Sequence, residues 1–292
     1  MNRTNTGTVT APGYSPGRTL PLSVEIVRQF RRRRTMVMFG LLLALPWVLV
    51  VAFQLGAGQP QPGQAVGSGL RMSDLATASG LNFAAFALSV SASFLLVVAV
   101  ALFCGDTVAG EATWSSLRYL LAAPVPRDRL LRQKLVVALG YAAAAVIALP
   151  VMALLAGTLA FGWDDIQVPG TGEIVPAASA LWKFGVVIGY VLVCQLVVAS
   201  LAFLLSTVTD SPLGAVGGAV GLVIVCNILQ AVEVLGELRQ LLPTFWNTAW
   251  LDALAPEPDW SGMIRGVAVS VSYSVILVAV AFRRFRTKDI VS

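Results

Sequence analysis

The residues best placed for chemistry lie between Gly105 and Lys134, in the order GDTVAGEATWSSLRYLLAAPVPRDRLLRQK. Their types suit recognition rather than bond-making. Asp106, Glu111 and Arg118 are interleaved with Val108, Trp114, Leu117, Tyr119, Leu120 and Leu121, as in an amphipathic helix lying near a membrane. Pro124 and Pro126 force an extended break, because proline disfavours helix in the residue before it. Asp128 then caps a second helix that begins Arg129-Leu130-Leu131. The predicted unit is a helix–break–helix elbow. It offers Leu117, Leu121, Pro124, Val125 and Leu130 with the charges of Glu111, Arg118 and Arg127, and exposed leucines and aromatics of this kind want a protein partner. The plainer reading of Glu111 and Arg118 is an ion pair that anchors the elbow, worth ~0–1 kcal/mol if exposed.

Catalytic chemistry finds little support elsewhere. The chain has no histidine, so zinc and haem sites lose their commonest ligand. Cys104, Cys194 and Cys226 fall within or at the edge of apolar runs, which argues against a disulfide framework. No GxxxxGK[ST] occurs; Thr171-Gly172-Glu173 lacks the lysine, so the phosphate-cradling loop of an ATPase is not in this sequence. Every acid falls at or outside a predicted membrane boundary, leaving no paired carboxylates for proton coupling. The uncharged polar residues singled out inside apolar runs are Gln195, Asn227 and Gln230, which either line a substrate path or bond across helices. We therefore expect no catalytic residue, metal or cofactor, and energy, if any is used, from another subunit.

The elements that must position these residues follow from composition. Hydrophobic residues make up 57% of the chain and charged ones 12%, too little charge to cover a soluble surface. Roughly 20 apolar residues span the ~30 Å hydrocarbon core as one helix. Six such runs occur, at 36–55, 81–103, 135–161, 181–205, 213–232 and 263–282. The predicted fold is all-α: a six-helix membrane domain over 21–292 behind a disordered tail at 1–20. A β-barrel would show ~10-residue alternating segments in place of unbroken stretches such as Leu95–Leu102.

Charge gives the topology. With six crossings, 16 of the 20 Lys and Arg residues fall on one side, in the N-terminal segment, the 104–134 loop and the segment after the last run. The other side holds Arg71, Lys183, Arg239 and Arg265 against nine acids. The positive-inside rule places both termini and the 104–134 loop in the cytoplasm. The net charge of +5 thus sets orientation against anionic headgroups and gives no nucleic-acid face.

Local signals refine this outline. Leu22, Ile26, Val27 and Phe30 recur at helical spacing ahead of Arg31–Arg34, predicting an amphipathic helix in the headgroup layer and an uncleaved first crossing. Pro46 is expected to kink crossing one, and Ser89, Ser91 and Ser93 suit close helix contact in crossing two. Residues 56–79 and the acidic stretch around Asp164, Asp165 and Glu173 read as external loops. Gly214, Gly217, Gly218 and Gly221 give two GxxxG spacings, suited to packing within the subunit or to dimerisation. In 233–260 the spacing of Leu235, Leu238, Leu241 and Leu242 predicts short helices, with Trp246 and Trp250 as anchors at headgroup level.

The stretch Glu111, Ser115, Leu117-Arg118, Leu120-Leu121, Pro124-Val125, Arg127, Leu130-Leu131 and Lys134 resembles the pattern E…GTLR.LL..PV.R..LL..K of ABC-2 type transporter permeases. The detailed likeness covers about 25 residues, and Ser115-Ser116 stand where that family often has Gly-Thr. The resemblance implies a multi-pass permease of a bacterial plasma membrane, forming the pathway of an ATP-driven exporter. It implies two protein partners, a separate ATP-binding-cassette ATPase docked on the elbow and a second permease subunit, identical or homologous. It also implies re-entrant helices in 233–260 and a minor cytoplasmic contact at Thr207–Pro212. Without the resemblance, an ATP-independent channel or carrier and a non-transporting accessory protein remain open.

Overall fold

The computed structural model describes residues 22–56, 72–113, 127–168 and 172–287; the tail expected at 1–20 and most of the loop expected at 56–79 lie outside these. The described chain runs through α1 (Leu22–Phe30), α2 (Arg33–Gly56), α3 (Met72–Leu75), α4 (Gly80–Ala92), α5 (Leu95–Thr113) and α6 (Arg127–Phe161). A two-stranded hairpin follows, β1 (Ile166–Gln167) with β2 (Ile174–Val175), then α7 (Ala177–Val208) and α8 (Pro212–Gln230). Two 3-10 helices, Glu233–Leu241 and Phe245–Leu254, lead into α9 (Ser261–Thr287).

Helices α2, α6, α7, α8 and α9 are each long and apolar enough to cross a bilayer, and α4 with α5 passes the same test as a pair bent by 54°. The chain is an all-α, multi-pass membrane protein. The bend corrects the expectation of one unbroken second run at 81–103. Its cause is local: neither proline nor glycine stands at the break. Instead the Ser89 hydroxyl donates to the Phe86 carbonyl and the Ser93 hydroxyl to that of Ser89. Serines bonding back to their own turn compete with the helical ladder and bend it. The Phe94 amide accordingly reaches back only to Ser91.

Helix α7 is the central rod, packed against α5, α6, α8 and α9. It buries Phe184, Val187, Val191, Ala199, Ala202 and Phe203. By contrast, α2 and α8 keep Val37, Val48, Leu222 and Ile228 exposed, as suits surfaces solvated by lipid tails. Since apolar burial drives helices together only weakly within lipid, close contact and hydrogen bonds must hold the bundle. The α4–α6 crossing shows the first. A Cβ on Gly80 would lie 2.6 Å from Thr158 Cγ2, so only glycine fits. Gly162, at φ +85°, ends α6 in the left-handed conformation, and its carbonyl accepts the Gly80 amide at 3.0 Å.

On α8, Ser211 caps the helix and Gly218 meets the Leu205 side chain, while Gly217 and Gly221 face open space. The region 233–254 is helical as expected, but of 3-10 type. Its second segment packs on α7 and α9 and buries Trp250. Trp250, expected as a headgroup anchor, is therefore a core residue.

Candidate functional site

One turn of α5, Phe103–Ala109, gathers side chains from four other elements. From α1, the Gln29 carboxamide donates to the Phe103 carbonyl at 3.3 Å. From the α1–α2 junction and the first turn of α2, Arg32 and Arg34 donate to the two oxygens of Asp106, at 2.5 and 3.1 Å. Lys134 of α6 donates to the Thr107 carbonyl at 3.3 Å and lies 3.5 Å from Glu25 of α1. From α7, the Ser206 hydroxyl accepts both the Val108 and Ala109 amides at 3.0 Å. The Thr107 hydroxyl meanwhile donates to the Cys104 carbonyl at 2.7 Å.

Local sequence explains this convergence. Asp106 sits on the last apolar helix turn before the basic segment, 9% exposed, where a lone carboxylate costs free energy unless paired. The arginine run supplies two guanidiniums, and charge-assisted bonds of this kind are the stronger ones. Helix α1 lays Leu22, Ile26, Val27 and Phe30 outward and turns Gln29 and Glu25 toward the bundle, which fits an amphipathic helix at a membrane surface. Sequence reasoning placed Asp106 at a boundary and missed its pairing. The signal available was an acid at the end of an apolar run in a chain whose first apolar run opens on arginines.

Of the elbow residues, Leu117, Arg118, Leu121, Pro124 and Val125 lie outside the described residues, and so do the side chains of Glu111 and Arg127. The backbones of those last two belong to α5 and α6, which flank the elbow directly. Leu130 is 4% exposed and packs inward. Thr207–Pro212 is the link from α7 to α8, with Thr207 buried beside Ser206.

The three polar residues of the apolar runs separate. Gln195 is buried at mid-helix in α7, its Nε2 donating to the Ala92 carbonyl at the α4–α5 bend, 3.2 Å away. Asn227 is exposed on α8 and Gln230 is half-buried at the end of that helix. Gln195 also lines a cavity of about 260 Å³ whose walls come from α5, α7, α8, α9, the second 3-10 helix and the link before it. Thr244, Asn247 and Tyr273 contribute polar groups there that sequence reasoning did not single out. Thr244 stands in the link between the 3-10 helices and Asn247 just after it, and only the folding of that segment over α7 brings them to Gln195, while Tyr273 reaches the cavity from mid-helix in α9.

At the other end of the bundle, Asn82 clamps the hairpin: its Nδ2 donates to the Gln167 carbonyl at 2.7 Å and its Oδ1 accepts the Gln167 amide at 3.0 Å. Lys183, buried, donates to the Ala255 carbonyl. Tyr190 donates to the Trp246 carbonyl at 2.6 Å.

No curated protein matches the chain. A family model matches residues 70–291, and it is that of DUF2705, described as a protein of unknown function, rather than that of the ABC-2 permeases. The likeness read from Glu111–Lys134 is corrected accordingly. It rested on leucines, arginines and prolines, the residue types any basic amphipathic loop of a membrane bundle would use. With three quarters of its length matched, the chain belongs to the DUF2705 family.

Proposed function

We propose that this chain is the membrane subunit of a transporter, crossing a bacterial plasma membrane six times with both ends in the cytoplasm. The bent α4–α5 pair counts as the second crossing. The segment between α5 and α6 takes up the force of a separate ATP-hydrolysing subunit, and a second copy or a homologous chain completes the pathway. The observation that carries this reading is the convergence on Phe103–Ala109. That turn immediately precedes the basic segment, and side chains of α1, α2, α6 and α7 all grip it. Displacement of the loop would therefore move four elements together, as rigid-body rocking between access states requires. That the sequence holds no phosphate-cradling motif is in keeping with nucleotide chemistry on a partner.

The test has two arms. Tagged chain is purified from its native membrane and assayed for associated ATP hydrolysis; this should co-purify, and should be lost when Leu117, Arg118 and Arg127 are replaced together by Ala. Flux catalysed by the purified chain alone in liposomes would instead identify a carrier or channel and sink the proposal. Orientation is tested separately. A single cysteine at Ser115 should react only with cytoplasmic reagent, and one at Gly170 only with external reagent.

A further inference from the structure

We infer that the cavity between α7, α8 and α9 is a binding site for a neutral amphiphile: an uncharged molecule with an apolar body and one hydroxyl or amide group. Most of its wall is apolar, with Val197, Val198, Leu201, Leu222, Val223 and Leu277 among the lining residues. No Asp, Glu, Lys or Arg lines it. A charged head would lie there unpaired, in surroundings that strongly disfavour an isolated ion. That excludes carboxylates, phosphates and ammonium compounds as occupants.

The polar side chains among the lining residues, Gln195, Thr244, Asn247 and Tyr273, are neutral, and the Tyr273 hydroxyl already donates to the Leu241 carbonyl at 3.1 Å. Gln195 is 6% exposed; its Nε2 is committed to the Ala92 carbonyl, which leaves Oε1 buried without a hydrogen bond. Thr244, also 6% exposed, has a buried hydroxyl oxygen with no partner among the described residues. Native interiors satisfy nearly all such atoms. Both oxygens are covered in this arrangement but belong to residues of the cavity wall, so turning either side chain inward would offer an acceptor to a single occupant. Water alone suits the space poorly. A single water needs roughly 10–15 Å³ on such a measure and two to four polar partners. At about 260 Å³ with mainly apolar walls, the cavity would hold a water cluster facing hydrocarbon on most sides. A molecule with one donor for an inward-turned Gln195 or Thr244 oxygen, and carbon for the remaining wall, satisfies both surfaces. At the rim, Leu222 is 50% and Tyr273 39% exposed, on helices whose outer faces are apolar. Entry is thus from the lipid phase.

That such a ligand is cargo rests on the transport reading above; that it binds does not. The experiment uses the full chain in lipid nanodiscs, with an octanol carrying an alkyl diazirine as photolabel. Adducts are mapped by mass spectrometry. Labelling should saturate and concentrate in 194–201, 222–226 and 242–247. It should be displaced by 1-octanol, and by octanoate at pH 8 only at about tenfold or higher concentration. Gln195→Met keeps the length and packing of the side chain but removes the acceptor, and should weaken displacement by octanol about fivefold. Leu222→Trp should fill the space and abolish the saturable fraction. Labelling that rises linearly with probe over all lipid-facing helices would overturn the inference. So would equal competition by octanoate, or a Gln195→Met chain indistinguishable from the parent. No partner subunit enters this measurement, so its failure would leave the coupling proposal standing, and a failed co-purification would leave the ligand site standing.

Discussion

The two ends of the bundle are held by different chemistry. At the basic end the clamp is ionic: Arg32 and Arg34 on Asp106, Lys134 beside Glu25, and Arg286 on Asp128. At the hairpin end it is neutral donors, or a lone lysine, bonded to backbone carbonyls: Asn82 on Gln167, Tyr190 on Trp246, Lys183 on Ala255. Ionic clamps respond to salt, to competing charge and to binding partners, because their strength depends on the surrounding dielectric and ion atmosphere. The neutral bonds of Asn82 and Tyr190 depend far less on these than the ionic ones do. The contrast assigns the adjustable joint to the basic end and the fixed frame to the hairpin end.

Substitutions can break or sharpen this contrast. The largest effect is expected from Asp106→Ala, which leaves two guanidiniums facing a part-buried void. The loss should be about 3 kcal/mol, at the low end for a broken buried pair because Arg32 keeps 28% exposure. It is read as a fall in thermal midpoint of the reconstituted protein together with new tryptic cleavage at Arg31–Arg34. Asn82→Ala should cost about 2 kcal/mol by orphaning both the amide and the carbonyl of Gln167. Unlike the first loss, it should not change between 0.1 and 1 M salt; a salt-dependent Asn82 effect would erase the distinction between the ends. Ser206→Ala removes the acceptor of two α5 amides and should cost about 1–2 kcal/mol, with faster amide hydrogen exchange confined to 108–109.

Smaller effects lie at the surface. Arg286→Ala breaks a pair whose members are 64% and 49% exposed, so its cost should stay below about 0.5 kcal/mol. Smallest is the pH response of Asp259, before the first turn of α9. Hydrogen bonds from the Ser261 amide and hydroxyl hold its carboxyl below the usual range. A depressed folded value stabilises above the unfolded value of ~3.9 and loses that contribution as pH falls through the folded one. Asp259→Asn should therefore be slightly less stable than the parent at neutral pH, converge with it in acid, and so flatten the acid limb of the stability curve below about pH 4.

Much of this was legible in the residues. Uninterrupted apolar stretches mark α2, α6, α7, α8 and α9, since in lipid only a helix satisfies its own backbone. Spacing in Leu22–Phe30 marked α1, and Pro124, Pro126 and Asp128 marked the restart of helix near Arg127. The α4–α5 bend was hidden because serine bends a helix only when its hydroxyl turns inward, which spacing does not reveal. Asp106 was visible as an acid, but its partners stand more than 70 positions away, and only packing brings them together. Gln195 stood out as a lone amide in an apolar run. Thr244 and Asn247 did not, because polar residues in a connecting segment are ordinary until that segment folds over a helix. The elbow side chains from Leu117 to Val125, which the sequence marks most strongly, are the part on which the described structure bears least.

Helix α6 carries a further consequence. Its 35 residues make a rod of roughly 52 Å at 1.5 Å per residue, against a hydrocarbon thickness of ~30 Å. One tip adjoins the basic loop; the other ends at Gly162, which is bonded to Gly80 of α4 and leads into the hairpin. A few degrees of tilt at Arg127 become a sideways sweep of several ångströms toward Phe161, roughly in proportion to length, with any bending concentrated at Pro150, where one rung of the hydrogen-bond ladder is missing. The frame at the hairpin end then acts as a stop that sets the stroke, and the ionic joint as the bearing on which it turns.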